Sequence, residues 1–96
     1  LGNEYQRPKY ANITTNTTTV LKLGAGTLRK VIINSNGAIS NIATIYDNTT
    51  GSGTRIGVIA TATAVGGTFE YDLDFFTGLT IVTSTGSAAN LTVVYD

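Results

Sequence analysis

Cysteine and histidine are both missing from this 96-residue chain, and proline occurs once, at Pro8. Without cysteine there is no disulfide framework, no thiolate metal site and no cysteine nucleophile. The lack of histidine as well excludes the usual zinc and copper sites and any Ser-His-Asp type of triad. A disulfide-free chain can fold in the cytosol and still work outside it, so cysteine usage leaves the compartment open. Charge of one sign is lacking too. Six basic and six acidic residues cancel, which removes the electrostatic drive towards nucleic acid or an anionic membrane surface. Apolar runs are only a few residues long, far short of the ~20 needed for a spanning helix. No charged-then-apolar signal segment opens the sequence. It begins at Leu1 rather than Met, and the expectation is that the natural N-terminus lies upstream.

The strong helix formers Glu, Lys, Gln, Arg and Met are scarce. In their place stand eighteen threonines, eleven glycines and eight asparagines. Threonine, with Val, Ile, Tyr and Phe, suits the half-buried pleated surface of a strand, and Gly and Asn supply turns. Ninety-six residues make one domain, and a chain of this size buries only roughly 60–65% of its unfolded surface, which favours association with partners.

Along the chain, residues 1–10 are polar and lack apolar alternation, so they read as an extended arm and residues 11–96 as the folded domain. Strand patterns follow at Thr17–Leu23, Thr27–Asn34, Ile39–Tyr46, Thr54–Thr63, Thr68–Phe75, Leu79–Ser84 and Leu91–Tyr95. Gly24-Ala25-Gly26, Ser35-Asn36-Gly37, the run Asp47–Gly53, Gly66-Gly67 and Thr85–Asn90 separate them. Asn36-Gly37 is a tight-turn signal. Thr68–Phe75 alternates most cleanly, with Phe69, Tyr71, Leu73 and Phe75 on one face and Glu70, Asp72 and Asp74 on the other. Turn signals every ~8–12 residues without a helical window predict a single antiparallel β-sandwich, Ig-like or jelly-roll-like, of about eight short strands.

Few residues offer chemistry. Glu70, Asp72 and Asp74 are the one carboxylate cluster, yet ligands along one strand face stand ~6.5–7 Å apart, which splays them and favours a solvated face over a Ca²⁺ site. As an acid–base pair for glycoside hydrolysis they lack any aromatic platform. Asn-x-Thr sequons at Asn12, Asn16, Asn48 and Asn90 are what an Asn- and Thr-rich chain produces by chance. The glycine clusters lack the Lys-Ser/Thr ending of a phosphate loop. Neither a cofactor nor a metal is expected, and no catalytic residue is assigned; the chain reads as non-enzymatic.

Charge is segregated along the sequence. Up to Tyr46, Arg7, Lys9, Lys22, Arg29 and Lys30 stand against Glu4, a net of +4. From Ile56 onward, Glu70, Asp72, Asp74 and Asp96 meet no base, a net of −4. Two readings stay open: docking between identical copies or onto a larger assembly, and pairing between neighbouring strands of one chain.

The segments TLRKVIINSNG (27–37), ATIYDNTTGSGTRIGVI (43–59) and YDLDFFTGLTIVTSTGSAANLTVVYD (71–96) resemble small β-sandwich virion proteins of tailed bacteriophages, such as head decoration (cement) proteins and fibre or tail modules. The shared pattern is a strand closing in Ile-Tyr-Asp, a Thr/Ser/Gly loop, a Gly-Thr-basic strand, then Thr-Gly-Leu-Thr-Ile-Val-Thr and a last Val-Tyr strand. About 70 of the 96 residues take part; the first twenty do not match. The resemblance implies a homotrimeric capsid decoration protein on the outer surface of the virion, with the major capsid protein and other copies of itself as partners. Partner contacts are expected from the arm (Tyr5, Arg7, Pro8, Lys9 and Tyr10). Arg29 and Lys30 against Glu70, Asp72 and Asp74 are the candidate inter-subunit charges. The alternative is a carbohydrate- or receptor-binding module of a fibre or tail.

Overall fold

The computed structural model describes residues 8–63 and 66–96. Eight strands form: β1 (Lys9–Ile13), β2 (Thr18–Leu23), β3 (Gly26–Ser35), β4 (Ile42–Asp47), β5 (Thr54–Ala60), β6 (Thr68–Phe75), β7 (Gly78–Ser84) and β8 (Asn90–Tyr95), with a 3-10 turn at Thr61–Thr63. They make two four-stranded antiparallel sheets, A in the order β1-β8-β3-β6 and B in the order β2-β7-β4-β5. The ladders β1·β8, β2·β7, β3·β6 and β4·β5 are those of one long hairpin rolled into a sandwich. That is the strand order of a jelly roll.

Rolling explains the charge layout. Each strand of the first half pairs with one of the second half, so the basic half of the sequence lies against the acidic half. In sheet A, Lys30 stands in register with Glu70 and Thr27 with Asp74.

Burial follows the two-residue period with one break. Leu28 is buried in β3, but the next buried positions are Val31 and Ile33 rather than Lys30 and Ile32. The register shifts between Leu28 and Lys30 against both neighbouring strands. An extra residue in a strand reverses which face follows it, so Arg29 and Lys30 both avoid the core while the Val31–Ile33 face returns to it. From sheet A, Leu28, Ile33, Phe75, Leu91 and Val93 meet Ala43, Ile45, Ile59, Leu79 and Ile81 of sheet B. Each large side chain contributes about 1.5–3 kcal/mol by leaving water, an upper estimate because the unfolded chain is itself partly collapsed.

Four expectations change. The arm boundary after Tyr10 falls inside β1, because Lys9 to Ile13 pair with Tyr95 to Leu91. Asn36-Gly37 makes no tight turn: β3 and β4 lie in different sheets, and a Cβ on Gly37 would clash with the Ser87 carbonyl. Close packing, not a turn conformation, requires glycine there. The strand expected from Ile39 begins at Ile42, leaving Ile39 93% exposed. The one expected to reach Thr63 ends at Ala60, where the chain turns to cross between sheets.

Candidate interaction surfaces

Among the described residues, two loop ends, two outer faces and four sheet edges are the surfaces a partner could meet. The loops at one end are tied by Asn41, which is fully buried. Its Nδ2 lies 2.8 Å from Asn16 Oδ1, 3.1 Å from the Ser84 carbonyl and 2.9 Å from the Thr85 carbonyl. The Thr61 hydroxyl donates to Asn41 Oδ1 at 2.9 Å. One amide thus joins four segments, the β1–β2, β3–β4 and β7–β8 connections and the end of β5. Thr85, a β-branched residue at φ 66°, is held by hydroxyl bonds to the carbonyls of Ser40 and Ser84.

At the opposite end the carboxylate of Asp47 accepts from three successive backbone N–H groups: Phe76 at 3.0 Å, Thr77 at 2.8 Å and Gly78 at 3.4 Å. Burial alone would push this carboxyl up, but the three donors together outweigh it and hold Asp47 below the usual aspartate range. The clamp fixes a turn that presents Phe76, 76% exposed; Leu23 is 73% exposed at the end of β2, whose last pair is with Gly78.

The outer face of sheet A is polar and internally bonded. Asn12 Nδ2 donates to Asn90 Oδ1 at 2.7 Å; Asn34 Nδ2 donates to the same oxygen at 3.0 Å and to Thr92 Oγ1 at 2.9 Å. A rank of amides and hydroxyls therefore crosses β1, β8 and β3. Sequence reasoning missed it, because Asn12, Asn34 and Asn90 sit far apart along the chain and only the rolled hairpin aligns them.

The outer face of sheet B differs. Cross-strand partners share a face, so Thr18, Val82, Thr44 and Val58 form one rank and Ser84, Ile42 and Ala60 another. Val20, Ile42 and Val58 are 45%, 39% and 50% exposed. Of the charged residues in this sheet, Arg55 alone pairs with a residue of this face, Tyr46, at the β4–β5 loop end. That loop folds back over part of the face: the Thr80 hydroxyl donates to the Asn48 carbonyl at 2.7 Å, and a Cβ on Gly51 would come within 2.7 Å of Val82. The run Ile42 to Tyr46, without a charge before Asp47, was the hint in the sequence that β4 carries no charge on either face up to its last residue.

The expected site residues fall in three places. Tyr5 and Arg7 lie outside the described residues. Pro8 is exposed just ahead of β1, and Lys9 and Tyr10 open that edge strand. Arg29 donates from Nε to Asp96 Oδ1 at 2.9 Å and from a terminal nitrogen to Oδ2 at 2.8 Å, so its partner is within the chain. Lys30 is half-buried opposite Glu70, and Glu70, Asp72 and Asp74 are all exposed on β6. Asp74 accepts the Thr27 hydroxyl at 3.0 Å. Among the described residues, no three or more acidic side chains are grouped to hold a metal ion. For Arg29 the geometry follows the pairing between strands of one chain; Lys30 and the three carboxylates remain accessible.

No protein-family model matches the sequence, and no curated protein is significantly similar to it.

Proposed function

We propose that this chain is a non-enzymatic bacteriophage capsid decoration protein that binds the outer surface of the assembled head and stabilises it. The motif resemblance at 27–37, 43–59 and 71–96 gives the role. The observation that carries it to a surface is the outer face of sheet B, where Val20, Ile42 and Val58 are exposed without an outward charge among them. Jelly rolls serve viral capsids and lectins alike, so the fold is compatible with the role and does not select it. Burying such a face across a joint between coat subunits stabilises by roughly 25 cal/mol per Å² of apolar surface. Many copies on one shell multiply that gain. The residues before β1 add main-chain hydrogen bonds if they lie along a coat strand.

The test is co-sedimentation with empty heads against free coat subunits. Heads are expected to carry the protein down while free subunits do not retain it. Ile42→Lys and Val58→Lys should each weaken head binding without loss of fold, since both side chains point outward. Removal of residues 1–7 tests the arm without cutting into β1. Equal binding to heads and free subunits would sink the reading.

A carbohydrate- or receptor-binding module of a fibre or tail is the second reading, favoured by the rank of Asn12, Asn34, Asn90 and Thr92 on the outer face of sheet A. It predicts glycan binding by the isolated protein, weakened by Asn34→Ala. A blank glycan array would remove it.

A further inference from the structure

Three of the four sheet edges are broken. The register slips between Val20 and Lys22 on β2 and beside Ile56 on β5. On β6 it slips opposite Arg29, where Asp72 takes φ 47° and Glu70, Asp72 and Asp74 line the strand. Bulges and charges of this kind stop an edge from pairing with another chain. β1 is the exception. Its five pairs, from Lys9 with Tyr95 to Ile13 with Leu91, run without a slip. Pro8 and Lys9 guard only its first residue, and Tyr10 to Ile13 carry no charge.

We propose that β1 is an interface between two copies of this chain, in which β1 adds antiparallel to β1 about a two-fold axis at Ala11. Sheet A of each copy then continues into the other. The occupant is a second copy because the strand is complementary to itself in this register. Lys9 falls opposite Ile13 of the second copy, and Tyr10, 74% exposed, falls opposite Asn12 of the second copy. The two Lys9 residues are then four positions apart, about 14 Å at ~3.4 Å per residue, beyond the ~8 Å screening length of physiological salt. An axis at Lys9 itself would set lysine against lysine, and one at Tyr10 would bring the two within about 7 Å. The alternative edge, β6, would meet its own carboxylates. Head-to-tail pairing of β1 on β6 would cross the Asp72 bulge and run on into rings or fibres, whereas like on like closes at two. The inference does not rest on the decoration reading, and it gives two copies where the resemblance implies three.

Sedimentation equilibrium of the full chain tests it, with two variants that differ only in the sign at position 10. Tyr10→Lys with Asn12→Lys places like charges opposite one another at both cross-strand pairs; Tyr10→Glu with Asn12→Lys places opposite charges at the same pairs. The unmodified chain is expected to reach a dimer mass. The like-charge variant should dimerise at least about tenfold more weakly, and the opposite-charge variant should recover the dimer at low salt. A monomer or trimer at every concentration would overturn the proposal, as would equal dimerisation of the two variants. Should both variants fail to fold, single cysteines decide. Ala11→Cys sits on the axis and should oxidise to a covalent dimer; Tyr10→Cys does not meet its own copy and should not. Equal cross-linking of the two would overturn the register.

Discussion

Arg29 grips Asp96 through two parallel hydrogen bonds of 2.9 and 2.8 Å, tying the bulge of β3 to the residue that follows β8. The backbone closes the same joint: Thr27 and Asp96 exchange N–H to carbonyl bonds, both 2.9 Å. The carboxylate is 5% exposed and the guanidinium side chain 40%. A planar fork matches a carboxylate in a way lysine cannot. The Arg29 bonds are the main reason Asp96 sits below the ordinary aspartate value of 3.8, against the opposing effect of burial.

That joint predicts an acid-sensitive stability. A carboxyl whose folded pKa is depressed contributes stability that is fully present above its unfolded value and is lost as pH falls through the folded one. Unfolding midpoints should therefore drop below about pH 4. In Asp96→Asn the midpoint should already be lowered at pH 7 and the slope of the acid limb reduced. Arg29→Lys keeps the charge but not the fork, so it should lower the thermal midpoint at pH 7 by less than Asp96→Asn does. Equal slopes for Asp96→Asn and the parent would remove this joint from the acid response.

Asp47 adds to the same limb by the same sign, since its folded pKa is also lowered. Asp47→Ala removes the acceptor from Phe76, Thr77 and Gly78 and is expected to cost about 1–3 kcal/mol in denaturant unfolding. Amide exchange should quicken at those three positions first. Uniform exchange across β7 would show that the carboxylate does not hold the turn.

Asn41→Asp gives the opposite pH response. The amide Nδ2 faces three oxygens, Asn16 Oδ1 and the carbonyls of Ser84 and Thr85, and a carboxylate oxygen in its place repels all three. An uncompensated charge at a fully buried position costs roughly 3–5 kcal/mol. The folded pKa of the new acid is raised, so this variant should gain stability relative to the parent as pH falls from 7 to 5. Asn41→Ala, which carries no charge, should lack that gain.

Gly51→Val tests the loop over sheet B. Even a Cβ there would meet Val82 at 2.7 Å, so the loop must lift, at about 1–3 kcal/mol. Lifting exposes more of Val82, so binding of a hydrophobic dye is expected to rise while the far-ultraviolet spectrum stays that of a β protein. An unchanged melt would mean that the loop yields without cost.

The all-β class and the positions of most strands were legible in the chain because period-2 patterning and turn chemistry are local properties. Thr68–Phe75 has the same bounds in sequence and structure, and the outward set of Glu70, Asp72 and Asp74 is visible in the order of residues alone. β1 was not legible. KYANI has only one large aliphatic residue, Ile13, and becomes a strand because β8 offers it a ladder.

What the sequence determined by itself was the composition of a sandwich, its turns, and the division of charge between the two halves. Whether that charge faces outward or inward was a tertiary decision. Rolling the hairpin brings positions 67 residues apart into contact at Arg29 and Asp96, and it gathers Asn12, Asn34 and Asn90 into one rank. The same rolling leaves β1 as the unbroken edge and gives sheet B an outer face on which Val20, Ile42 and Val58 stand exposed among threonines. These features depend on which strands become neighbours, and neighbour choice is set by packing of the whole core rather than by any local window of residues.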